Sequence, residues 1–164
     1  MEVTIIATIV VLVMLGVLFL YLRMNLVKEL VIAALMSAIW VIYYGYTYKG
    51  DQWIIFGVLN VFAWVAWTLG LVVFAQVYEK LRDLFKQRWK AILISGVVYL
   101  FAVNLVEWFG YNILKIQLTS SYEGLFGLPL MHGNIVMKVF YLTEWLIFIG
   151  IYEFVTKYEK KKRR

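Results

Sequence analysis

Two carboxylates stand inside long apolar runs: Glu107 in "VNLVEWFGYNILKIQL" and Glu144 in "FYLTEWLIF". A charge in hydrocarbon is costly, so such a group is expected to face the protein interior or a water-filled cavity. Two carboxylates at similar depth push at least one of them toward its protonated form. A protonated carboxyl in an apolar cavity is a general acid, and its neighbour is then the base. The same pair suits proton or small-ion carriage. Other groups lie at matching depth: Asn60 and Trp64 in the third apolar run, Asn104 and Tyr111 around Glu107, and Lys138 and Tyr141 ahead of Glu144. Glu107, Tyr111 and Lys115 recur at four-residue steps, which places them on one helical face. Asn104 borders that face, and Tyr141 shares a face with Glu144. By depth these residues converge on one outward-facing cavity. The plainer alternative pairs Glu107 or Glu144 with Lys115, Lys138 or an asparagine and gives them only helix–helix specificity.

Other chemistries are excluded by composition. The 164 residues include no cysteine and one histidine, so thiolate chemistry, disulfides and a multi-histidine metal site within the chain are ruled out. His132 reads as an interfacial hydrogen-bonding residue or, with Asn60, Trp64, Asn104, Tyr111, Lys138 and Tyr141, as a ligand-binding candidate. The sequence holds no GxSxG, HExxH, Walker or GxGxxG pattern. No cofactor and no metal are expected. The net charge of +6 lies in the gaps between apolar runs, not on one face, so no nucleic-acid partner is expected.

The elements that must position these groups are membrane helices. Hydrophobic residues make up 64% of the chain and charged residues only 16%, against about a quarter in soluble domains. About 20 apolar residues cross the hydrocarbon core. Five runs qualify, at roughly 4–22, 30–48, 53–77, 91–115 and 134–156, within one domain spanning 1–164. The first has no preceding basic residue and no small-residue cleavage site, so it reads as a retained helix. Only Lys49, Lys115 and Lys138 fall on one side of the runs, leaving thirteen of the sixteen basic residues on the other. The positive-inside rule puts the larger group in the cytoplasm. The expected fold is an all-α bundle of five transmembrane helices in the cell membrane, N-terminus outside and C-terminus cytoplasmic.

The connections carry further signals. "YEKLRDLFKQRW", 78–89, places Leu81, Leu84, Phe85 and Trp89 on one stripe. This suits an extension of the third helix or a short helix on the anionic inner leaflet. The basic tail, 157–164, reads as an anchor to anionic headgroups. Trp40, Tyr43, Tyr44, Tyr46, Tyr48 and Trp53 form an aromatic belt or a platform for a flat ligand. The external loop, 118–133, is apolar enough to pack back on the bundle, with Leu125, Phe126, Leu128 and Leu130 against the helices or a partner subunit. It serves as a lid or as a cap.

The layout of residues 107–154, with "GLFGLPLMHG" ahead of "FYLTEWLIF", resembles membrane-embedded carotenoid cyclases. There, a glycine–hydrophobic–proline step precedes an acidic pair; here Met131 and His132 occupy those positions. Three functions follow from the residues. The first is an accessory or structural subunit of a larger membrane complex that binds lipid or an apolar ligand. Its partners would be other membrane subunits or further copies of the chain. The second is a small enzyme acting on an isoprenoid or lipid, with Glu107 and Glu144 as acid and base. The third is a proton or small-ion carrier using the same carboxylates.

Overall fold

The computed structural model describes residues 2–21, 27–49, 53–120, 122–128 and 130–162. Its helices are α1 (Glu2–Tyr21), α2 (Val27–Tyr44), α3 (Val61–Leu84), α4 (Arg88–Asn112) and α5 (Ile135–Lys162). Two short strands, β1 (Ile54–Ile55) and β2 (Leu59–Asn60), form an antiparallel hairpin with Ile54 opposite Asn60 and Ile55 opposite Leu59. Helices α2 to α5 are long and apolar enough to cross a membrane. Helix α1 has 20 residues, and its stretch Val3–Val17 forms a shorter apolar helix.

Several boundaries differ from the hydropathy reading, each for a local reason. Helix α3 starts at Val61 and not at 53, because Phe56 and Gly57 adopt left-handed φ values of 52° and 71° and turn the chain into the hairpin. Asn60 then caps the helix, its side-chain oxygen accepting the Ala63 N–H at 2.9 Å. Helix α2 stops at Tyr44, before the left-handed Gly45, well short of 48. Helix α4 runs from 88 to 112, so Lys115 leaves the helical face it was expected to share with Glu107. Lys115 instead has φ 58°, and the following Ile116 N–H returns to the Gly110 carbonyl at 2.9 Å. The 78–89 segment resolves into the last turns of α3, a short break, and the start of α4. Helix α5 continues to Lys162, so much of the tail is helical. Arg23, Pro129 and the final Arg163 and Arg164 lie outside the described residues.

Helix α3 is central and touches α1, α2, α4 and α5. Its buried stripe (Leu71, Val72, Phe74, Ala75, Tyr78) meets Ala33, Met36 and Trp40 of α2 and Trp145, Phe148 and Tyr152 of α5. Lipid tails are as apolar as leucine, so helices in a bilayer gain little by hiding apolar area and rely on close packing and polar links. The α2–α3 seam shows both. Ala33, Ser37 and Ala75 are fully buried, and the Ser37 and Thr68 hydroxyls lie 2.7 Å apart. Between α4 and α5 a ring packs onto a glycine: a Cβ on Gly96 would sit 2.6 Å from the Trp145 ring.

Two ends of the bundle are distinct. One holds the β-hairpin, the 113–134 connection, Lys49, Lys115 and Lys138. The other holds Lys28, Lys80, Arg82, Lys86, Arg88, Lys90 and Lys157.

Candidate functional site

Glu107 is held by the loop. Its Oε2 accepts the Met131 N–H at 2.8 Å and its Oε1 accepts the His132 N–H at 2.5 Å, with His132 Nδ1 at 3.1 Å. Met131 adopts φ 51°, and the two successive N–H groups converge on one carboxylate. The His132 ring stacks on Tyr111, with centroids 3.7 Å apart and planes 4° from parallel. The Tyr111 hydroxyl in turn accepts the Leu118 N–H at 3.1 Å. One face of α4 thus grips both the beginning and the end of the 118–133 connection. Lys138 adds a bond to the Gly124 carbonyl at 3.3 Å. Gly124 is obligatory there, since a Cβ would fall 1.6 Å from the Leu128 carbonyl oxygen.

The loop packs by only some of the side chains expected. Met131 and Leu118 are buried, and Leu125 is half-buried against the same cluster. Phe126 is 91% exposed and Leu128 is also exposed, so neither packs against this bundle. The reason is local: Phe126 and Gly127 take left-handed φ values of 54° and 75°, and this turn leaves the Phe126 side chain outside the packed cluster.

The remaining candidates fall into separate contacts. Tyr141 lies in a buried aromatic group, its hydroxyl 2.8 Å from that of Tyr46 and its ring stacked on Trp67 at 5.5 Å. Burial and the neighbouring Tyr141 push the Tyr46 phenol well above its ordinary range. Trp64 donates its indole N–H to the Ala34 carbonyl at 2.9 Å, fastening α3 to α2. Asn104 bonds back to the Leu100 carbonyl of its own helix at 2.7 Å. Trp64, Tyr111 and Tyr141 all border one hydrophobic cluster. Their convergence is therefore a packed core and not a shared polar cavity. The aromatic belt also divides: Trp40 and Tyr46 are buried, whereas Tyr43 and Trp53 are exposed.

Glu144 makes none of the bonds that Glu107 makes. It is fully buried, and neither carboxyl oxygen has a hydrogen-bond partner among the described residues. Buried polar atoms are nearly always satisfied, so this one calls for an explanation.

The polar cluster at the opposite end went unread in the sequence. Glu153 of α5 is buried and receives Arg88 of α4 through Nε at 2.9 Å and through Nη2, together with the Tyr78 hydroxyl of α3. Glu29 of α2, also buried, accepts the Tyr152 hydroxyl at 3.1 Å. Arg82 pairs with Glu79 one turn earlier. A cleft of about 210 Å³ opens beside these groups, lined by Arg82, Arg88, Glu153, Thr156 and Lys157. The available signal was Glu153, which follows Glu144 in the same apolar run and lies at the depth of Arg88.

Comparison with protein-family models, with curated proteins and with solved structures gives no match.

Proposed function

We propose that the chain is an integral membrane protein of five spans acting as an accessory or structural subunit of a larger membrane assembly. The observation that supports this reading most is the engagement of Glu107. An acid or base must be free to exchange a proton with a substrate. Glu107 instead accepts two backbone N–H groups and faces His132, which makes it a latch for the loop. Glu144 is fully buried and makes no hydrogen bond to Glu107, which supports a structural role over an acid–base pair. The basic residues gathered at one end support a cytoplasmic position for that end, with the 113–134 connection and the start of α1 outside. The bilayer in question is the plasma membrane, with anionic inner-leaflet lipids against the basic end.

Purification in mild detergent tests the reading. Stoichiometric membrane subunits co-purifying with the chain are expected; a monomer that alone transforms an isoprenoid or other lipid would overturn it. Cysteine labelling of Lys49→Cys and Lys162→Cys in intact cells tests the orientation, with position 49 expected to react from outside and 162 not.

One observation favours a second reading, proton or small-ion carriage. Glu144 is a buried carboxyl without a fixed partner, the type of group that intramembrane relays use. Vesicles of the purified chain would then show a flux that Glu144→Gln abolishes.

A further inference from the structure

We infer that the cleft between the end of α3, the start of α4 and the last turns of α5 binds a phosphate group. Its lining contains three cationic heads, those of Arg82, Arg88 and Lys157, against the single carboxylate of Glu153. That carboxylate is not available to an incoming cation, because Arg88 and the Tyr78 hydroxyl already occupy its oxygens. The Arg88 side chain is nonetheless 58% exposed, so its guanidinium reaches the cleft while holding Glu153. Arginine suits this double role, since its five N–H donors lie in a fixed planar fork. Arg82 is oriented in the same way by Glu79. Lys157 is exposed and makes no ion pair among the described residues, so its ammonium is free to meet an anion. Thr156 gives its hydroxyl proton to the Tyr152 carbonyl at 2.7 Å and contributes no donor, which leaves recognition to the three cations.

The surroundings favour a phosphate carried on a lipid. Leu84, Trp89 and Phe154 are exposed next to the cleft in sequence, at 72%, 59% and 72%. Exposed apolar surface beside a cationic cleft matches an amphiphile whose acyl chains lie along the helices while its headgroup enters the cleft. Basic pockets between spans on the cytoplasmic side commonly hold anionic headgroups. A free phosphate monoester offers the same group to the same cations. The lipid form of the inference rests on the proposal that this end lies at the inner leaflet; binding of a soluble phosphate does not.

The test uses the full chain, purified in mild detergent and reconstituted into vesicles of phosphatidylcholine containing phosphatidic acid. Carbonate extraction first establishes insertion, so a failure of the membrane reading is seen separately. Native mass spectrometry of the re-extracted protein then reports retained lipid, and titration with inorganic phosphate reports soluble binding. Arg82→Gln/Lys157→Gln removes two lining cations and keeps Arg88 on Glu153. Lys80→Gln/Lys86→Gln removes the same charge from exposed positions outside the lining. Each cation near such a headgroup contributes about 1 kcal/mol, so the first variant should lose roughly tenfold or more in phosphatidic acid retention. The second should retain the lipid as the native chain does. Retention of phosphatidic acid unaffected by millimolar phosphate assigns the site to a headgroup. Saturable phosphate binding lost in the first variant, with no lipid preference, assigns it to a soluble phosphate. Equal losses in both variants, or no preference for either anion, would overturn the inference.

Discussion

The loop end of the bundle and its middle treat a carboxyl group in opposite ways. Glu107 is met by two N–H groups and an imidazole, whereas Glu144, deeper and more buried, is met by nothing described. In sequence the two look alike, each flanked by a tryptophan within an apolar run. The difference teaches that position alone does not assign a role to an acid within an apolar helix. What decides is whether the chain supplies donors. Glu153 at the basic end repeats the Glu107 solution with Arg88 and Tyr78. The two ends are thus tied by satisfied carboxylates, and the middle holds one that contributes no visible bond to the fold.

The comparison breaks first, and with the largest effect, at Glu107. Glu107→Ala leaves the Met131 and His132 N–H groups without their acceptor, at about 1–3 kcal/mol for each. Thermal unfolding in mild detergent should shift to lower temperature, and limited proteolysis should begin within 122–133. Glu107→Gln keeps one acceptor oxygen and should fall between Glu107→Ala and the native protein. An unchanged cleavage pattern in Glu107→Ala would show that the latch is not what orders the loop.

At Glu144 the sign reverses. Burial of a polar group without a bond costs roughly 1–3 kcal/mol in proteins, so Glu144→Leu should raise stability by an amount of that order. Chemical denaturation against the native chain measures it. A loss of stability would mean that the carboxyl has a partner, such as ordered water, and the contrast with Glu107 would collapse. A gain in stability accompanied by loss of ion flux would instead support carriage.

The long apolar helices were legible because their signal is long and redundant: many apolar residues agree on each helix, and the gaps carry the charge. The ends were not. Helix α3 could not be dated from hydropathy, since "WIIFGVLN" is as apolar as a span and only the left-handed Phe56–Gly57 turn separates it. Of the candidate site, the association of Glu107, Tyr111 and His132 was half visible: the i, i+4 step placed the first two on one face, and the loop supplied the third. The identity of the donors was hidden because they are backbone N–H groups, which every residue but proline carries. Glu153 was hidden for another reason. Its partner Arg88 lies in a distant gap, and the pairing exists only once α4 and α5 are side by side.

A smaller effect sharpens the comparison at the loop end, where Tyr46 and Tyr141 form a buried neutral pair. Tyr46→Phe removes one hydroxyl and should cost on the order of 1 kcal/mol, appearing as a modest fall in the unfolding midpoint. Because the Tyr46 phenol lies well above its ordinary range, it stays protonated through neutral pH, and the cost should be the same at pH 6 and pH 8. A cost that changes between those values would show that this pair titrates.

The smallest effect belongs to Phe126, and it separates the latch from the turn that it holds. The side chain is 91% exposed, so its removal uncovers almost no packed surface. Its backbone is left-handed at φ 54°, a region that costs a non-glycine residue roughly 1–2 kcal/mol and that alanine tolerates no better than phenylalanine. Phe126→Ala should therefore leave stability within about 0.5 kcal/mol of the native value, as for other exposed substitutions. Phe126→Gly relieves the left-handed penalty but loosens the unfolded chain, and these opposing changes should leave a small net gain at most. Leu125→Ala provides the contrast, because Leu125 packs against the buried loop cluster and should cost more than either Phe126 change. Detergent unfolding midpoints of the three variants give the order directly. If Phe126→Ala proved as damaging as Leu125→Ala, the exposed phenyl ring would have a binding surface in the folded assembly, and the loop would be an interface as well as a cap.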